Sequence, residues 1–120
     1  MSDNHGATRL TPCPKKPNCV SSRAGGRQRI EPIANGETQW QRLPKVLGEY
    51  PGIRIVARDS DYLRAEARTP MLKFVDDLEF ELSPEENVIH MRSASRLGYS
   101  DFGTNRKRLE SIRERLEAQN

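Results

Sequence analysis

The chain has 120 residues, 34% of them hydrophobic and 31% charged, with a formal net charge of +3. That length supports one domain with a single two-layer core, and the clustered, alternating apolar residues exclude a disordered chain. No apolar run approaches the roughly 18 residues that span a bilayer and no apolar segment follows Met1, so the expectation is a soluble chain that is cytoplasmic as given.

Residues 1–28 read as an extended arm punctuated by Pro12, Pro14, Pro17, Gly25 and Gly26, and residues 29–120 as the folded domain. "RIEPI" (29–33) fits a short edge strand, which is compatible with a monomer or a weak dimer. "GETQWQRLPKVLGEY" (36–50) places Trp40, Leu43 and Leu47 at helical spacing, with Pro44 expected to kink or divide the helix. "IRIVAR" (53–58) and "YLRAEAR" (62–68) alternate with period two around "DSD". "MLKFVDDLEFEL" (71–82) and "NVIHMRSAS" (87–95) form a second hairpin. Leu109, Ile112 and Leu116 then give a stripe to a helix running from about Thr104, a fair N-cap, to Ala118. These elements predict an α+β fold: an antiparallel sheet of four to five strands backed by two helices.

Charge is segregated along the chain. Residues 1–30 hold six Lys/Arg against one Asp. Residues 72–86 hold six Asp/Glu against Lys73, and residues 92–108 hold five cations against Asp101. Internal pairing of the acidic block accounts for this pattern better than an external polyanion, so nucleic acid is not the expected partner.

In the third long strand Leu72, Phe74, Leu78, Phe80 and Leu82 share one parity and face inward, and Asp76 shares it too. On the partner strand the inward set is Ile89, Met91, Ser93 and Ser95. Two registers keep the apolar faces together: Asp76 opposite Ser93 with Asp77 opposite Arg92, or Asp76 opposite Ser95 with Glu79 opposite Arg92. In either, Arg92 and His90 lie on the outer face. A buried carboxylate needs a donor, and Arg96, the serines and Arg106 are the candidates. Arg106, Lys107 and Arg108 at a helix start oppose the macrodipole, as they would if they answered a carboxylate or a bound anion.

"RSASRLGYSDFGTNRKR" (92–108) therefore centres the candidate site, built from Asp76, Arg92, Ser93, Ser95, Arg96, Tyr99, Asp101, Asn105 and Arg106. One reading is a polar clasp fixing a loop, with Gly98 and Gly103 supplying positive φ. A second is a binding or accessory module that takes a small anion or an acidic partner, with Tyr99 or Phe102 as an apolar wall. A third is a hydrolase-like enzyme with Asp76 as base, Arg96 and Arg106 holding an anionic substrate, and Ser93 or Ser95 as nucleophile. The basic arm and outer arginines offer a further surface for an acidic protein or a membrane. No G-x-S-x-G, H-E-x-x-H, P-loop or dinucleotide fingerprint occurs, Asp76 and Asp77 point to opposite faces, and neither a metal nor a cofactor is expected. The balance leans away from an enzyme.

"CPKKPNC" sets Cys13 and Cys19 six positions apart: two thiols or a redox-dependent disulfide, with C-x₅-C a poor match to zinc-ligand spacing. Asn18, Ser21 and Ser22 in "NCVSS" fit a turn anchoring the arm to the sheet, or a second wall of the polar site. "PNCVSS" (17–22), "FVDDLEFEL" (74–82) and "RSASRLGYSDFGTNRKRLESIR" (92–113) together resemble the family known as domain of unknown function 1499, from about Pro12 to Leu116. The resemblance implies a bacterial or plastid protein whose relatives often carry an export signal, lipid-attachment sequence or membrane segments, features this sequence departs from. It carries no activity, cofactor or catalytic residue over to this chain.

Overall fold

The computed structural model describes residues 8–69 and 74–118. Its elements are strands β1 (Cys19–Ser21) and β2 (Ile33–Ala34), helix α1 (Gly36–Glu49), strands β3 (Ile53–Arg58), β4 (Tyr62–Arg68), β5 (Val75–Ser83) and β6 (Val88–Ser95), and helix α2 (Thr104–Ala118). The strands form one antiparallel sheet in the order β1-β6-β5-β4-β3, with β2 also paired to β6. The free side of β6 is thus shared, β2 taking Val88 and Ile89 and β1 taking Arg92 to Ala94. This is the expected α+β architecture with two helices. The sheet has six strands rather than four or five, because β1 lies inside the stretch read as an arm, while the short edge strand expected at 29–33 is confined to β2, Ile33–Ala34.

Both helices pack on one face of the sheet. Leu63, Ala65 and Ala67 of β4, Leu78 and Phe80 of β5, and Ile89 and Met91 of β6 meet Leu43, Val46 and Leu47 of α1 and Leu109, Ile112 and Leu116 of α2, all at most 3% exposed. Pro44 neither kinks apart nor divides α1, which runs unbroken from Gly36 to Glu49. An interior proline costs a helix about 3 kcal/mol. Burial of Leu43, Val46 and Leu47 around it, each worth about 1.5–3 kcal/mol, offsets that loss. The start of α1 docks on the β5–β6 turn: Gly36 N–H donates to the Asn87 carbonyl (2.9 Å) and Glu37 N–H to the Asn87 side chain (3.0 Å). A Cβ at Gly36 would lie 2.7 Å from the Val88 backbone, so the approach requires glycine.

The β5–β6 register sets Asp76 opposite Ser95 and Glu79 opposite Arg92, the second of the two registers compatible with the apolar pattern. Strand β5 begins at Val75, so Phe74 does not share the inward face and is 48% exposed, while Leu72, expected inward, lies outside the described residues.

The outer face of β5 and β6 is covered rather than solvated. Thr8 Oγ1 and Arg9 N–H donate to the Glu81 carboxylate (2.6 and 3.0 Å), and Thr11 N–H donates to Glu79 (3.1 Å). Arg92 pairs with Glu79 at 3.2 Å and also donates to the Pro12 carbonyl. The acidic block is therefore satisfied from within the chain, mostly by arginine side chains, with backbone amides of Arg9 and Thr11 adding to the cover of Glu81 and Glu79. No helix among the described residues is long and apolar enough to cross a membrane.

Candidate functional site

Asp76 enters the inner face at the end of β5, where the apolar layer gives out. Its carboxylate is 5% exposed and pairs at 2.8 Å with the Arg108 guanidinium, itself 10% exposed, from the first turns of α2. Arg108 also donates to Asn105 Oδ1 (2.9 Å) and Ser93 Oγ (3.3 Å). Asn105, fully buried, is the hub. Its Oδ1 accepts from the Ser93 hydroxyl (2.5 Å), and its Nδ2 faces Asp101 Oδ2 (2.7 Å), Ser95 Oγ (3.0 Å) and the Asn18 carbonyl (3.2 Å). Buried polar groups are tolerated when every member finds a partner, and here a sheet end, a loop and a helix start are tied through one amide.

The cations of the 92–108 stretch divide between the two faces. Arg96, expected as a partner of Asp76, instead bridges Asp77 (2.9 Å) and Glu66 (2.8 Å) on the outer face. The reason is parity: position 96 continues the 90, 92, 94 series. Hydrogen bonds to Asp77 and then to Glu66 hold this guanidinium above its ordinary pKa. Arg92 is outward as expected, but buried against Glu79. Arg106 turns away from Asp76 and donates to the Arg27 carbonyl at 2.8 Å. The donor that Asp76 requires is Arg108, two residues further along α2, where the helical turn points back at the sheet. The clue lay in the three consecutive cations, of which only a pitch argument separates 106 from 108. Asp101, rather than Thr104, accepts from the helix start, taking the amides of Gly103 (2.8 Å) and Asn105 (3.2 Å). Ser93 is fully buried with its hydroxyl committed to Asn105, and Ser95 belongs to the same cluster.

Beside this cluster the surface opens. A cavity of about 360 Å³ is walled by Phe74, Val75, Leu97 and Phe102, with Asp76 and Ser95 among its polar lining. A second cavity of about 450 Å³ is lined by Arg68, Lys107, Arg108, Ser111 and Tyr50. Thr69 and Thr104 line both. Asp76 borders the apolar one and Arg108 the cationic one, so their ion pair stands where the two meet.

The loop carrying these walls is conformationally constrained. Gly98 and Gly103 have φ of 89° and 85°, and Phe102, 90% exposed, has φ of 53°. A bulky residue in the left-handed region is strained, and the strain is held by Asp101 and the glycines around it.

One hydrogen-bonded chain has no forerunner in the candidate set: Ser22 Oγ to His90 Nδ1 (2.8 Å) and His90 Nε2 to Glu86 (2.9 Å). The serine oxygen also accepts from Met91 N–H (2.9 Å), and Ser22 is 1% exposed, so this hydroxyl tethers β1 to β6 rather than facing a substrate. Hydrogen bonding to His90, then Ser83, lowers the Glu86 pKa. Cys13 and Cys19 form a disulfide with Cα atoms 5.6 Å apart. It closes the turn whose Pro17 and Asn18 carbonyls accept from Asp101 N–H (3.1 Å) and Ser95 N–H (2.9 Å). Asn18 Nδ2 donates to the Gly98 carbonyl at 2.8 Å, so "NCVSS" both anchors β1 and buttresses the loop. Among the described residues no group of three or more His, Cys, Asp or Glu side chains is placed to hold a metal ion.

Fold and site define a helix-backed antiparallel α+β domain with a polar cluster closing one end of the sheet and a two-part groove beside it. Residues 9–116 match the model of the family described as protein of unknown function (DUF1499), and the chain belongs to that family. No curated protein and no solved structure matches the chain.

Proposed function

We propose that the domain is a binding module for a small amphipathic anion, with the apolar body between Leu97, Phe102 and Phe74 and the acidic head toward Arg68 and Lys107. The observation that carries this reading is the junction of an apolar cavity with a cationic one at Thr69 and Thr104. Ligand sites are concave and mostly apolar with a few convergent polar groups, and here apolar walls adjoin two threonine hydroxyls, Lys107 and Arg68, the last shared with Glu66 at 3.7 Å. The first amides of α2 are already capped by Asp101, so the attraction for an anion comes from the side chains of Lys107 and Arg68. The Asp76–Arg108–Asn105 cluster is the frame of the site: its charges are consumed internally and it fixes the loop and the helix start that supply the walls.

Calorimetric titration with octyl phosphate, against inorganic phosphate and octanol as half-ligands, tests the reading. Octyl phosphate should bind more tightly than either half. Leu97→Ser should weaken it by about tenfold, in line with removal of a large apolar contact. Lys107→Gln should weaken octyl phosphate and leave octanol unchanged. Equal affinity for phosphate and octyl phosphate, or binding indifferent to both substitutions, would sink it.

A further inference from the structure

The described residues expose four large hydrophobic side chains, and all four are at one place: Phe74 at 48%, Leu97 at 72%, Tyr99 at 69% and Phe102 at 90%. Single exposed hydrophobics are ordinary, but a cluster of four, one of them Phe102 held in the left-handed region, marks a contact surface. Tyr99 does not line the apolar cavity, so a ligand in the groove leaves it uncovered.

Cations flank this tip on both sides. Arg27 and Arg106 line a hollow of about 230 Å³ on one flank, and Arg68 and Lys107 line the cationic cavity on the other. Among the described residues no carboxylate pairs with Arg27, Arg106 or Lys107. The loop's own acid, Asp101, is consumed by the amides of Gly103 and Asn105 and by Asn105 Nδ2.

The geometry points to a docking surface for an anionic lipid bilayer, with Leu97, Tyr99 and Phe102 at headgroup depth and the flanking cations on lipid phosphates. Charge complementarity selects this occupant. An apolar tip between two cationic flanks matches an interface that is apolar beneath and negative at its surface, and a fluid interface receives protruding side chains without a shaped partner. The surface shares Leu97, Phe102, Arg68 and Lys107 with the proposed groove, and Tyr99, Arg27 and Arg106, which line neither cavity of it, separate the two readings.

The test is co-sedimentation of the full chain with vesicles of phosphatidylcholine, with and without phosphatidylglycerol. Wild type should pellet with the anionic vesicles, release as salt is raised, and pellet weakly with phosphatidylcholine alone. Tyr99→Ser, outside the groove, and Phe102→Asn, which suits the left-handed backbone, should each reduce partitioning, the latter by about tenfold. Arg106→Gln should reduce it about fivefold. Arg54→Gln, on the far edge strand β3, is the control and should change nothing. No pelleting with anionic vesicles overturns the proposal, and so does pelleting that survives both loop substitutions. Self-association in analytical ultracentrifugation that Tyr99→Ser abolishes would assign the surface to a second copy and equally overturn it. Octyl phosphate binding by Tyr99→Ser separates failure here from failure of the groove reading.

Discussion

Replacing Arg108 by alanine should remove a large part of the domain's stability. The guanidinium is 10% exposed and its partner Asp76 5%, at 2.8 Å. Taking away one member of a buried pair leaves the other charge desolvated and unanswered, which costs about 3–5 kcal/mol. Asn105 Oδ1 loses a donor at the same time, although Ser93 still serves it. Against a total stability of about 5–15 kcal/mol, this is at least about a fifth and, for a marginal domain, most of it. Urea unfolding followed by the fluorescence of Trp40, the chain's single tryptophan, which packs against the core, reads the change directly. Asp76→Leu combined with Arg108→Met should return to within about 1 kcal/mol of wild type, because an apolar pair of similar size needs no partner. Arg108→Ala within 1 kcal/mol of wild type, or a double variant as unstable as the two single changes summed, would refute the buried-pair reasoning. Arg96→Ala is the internal comparison: Arg96 is half-exposed on the outer face, and its loss should be the smaller of the two.

Further expectations follow from the same geometry. Reduction of Cys13–Cys19, or its replacement by two serines, should lower stability by about 2–2.5 kcal/mol on the loop-entropy model, read by urea unfolding with and without dithiothreitol. Burial, then the hydrogen bond to Glu79, pushes the Tyr62 phenol up to about 12. A raised pKa favours the neutral phenol in the fold, so this contribution is intact below pH about 10 and lost as pH rises from there through 12. Ultraviolet titration should lose its most alkaline phase in Tyr62→Phe, and that variant should lose stability less steeply over the same window. Phe102→Asn should raise the melting temperature, the change amounting to about 1 kcal/mol, since asparagine tolerates the left-handed backbone that phenylalanine does not. A stabilised variant that no longer docks would be a loop kept strained for contact.

Much of this architecture was legible because periodicity and parity are local. The four long strands and both helices sit where alternation and 3.6-residue spacing placed them, and the inward set of β5 and β6 forced the choice to two registers, one of which is observed. The same parity rule, carried one residue past Ser95, assigns Arg96 to the outer face with Asp77. What local pattern could not reach were contacts set by tertiary geometry. Arg108 and Arg106 differ only in where the turn of α2 points relative to the sheet. β1 and the cover over Glu79 and Glu81 come from a Pro- and Gly-punctuated stretch with no period, held by backbone amides and a disulfide. Pro44 broke its local rule because three buried side chains around it outweigh one missing hydrogen bond. The candidate residues themselves split: Asp76, Ser93, Ser95, Asp101 and Asn105 come together, while Arg92 and Arg96 lie on the opposite face of the sheet and Arg106 beside Arg27.

The groove is tested most directly by amide chemical-shift mapping of the full chain titrated with octyl phosphate. Saturable shifts should concentrate at Thr69, Leu97, Phe102, Thr104 and Lys107, with the β3 edge silent and inorganic phosphate moving only the residues around Lys107. Shifts that are absent, unsaturable, or centred on the outer face around Glu79 and Arg92 would contradict it.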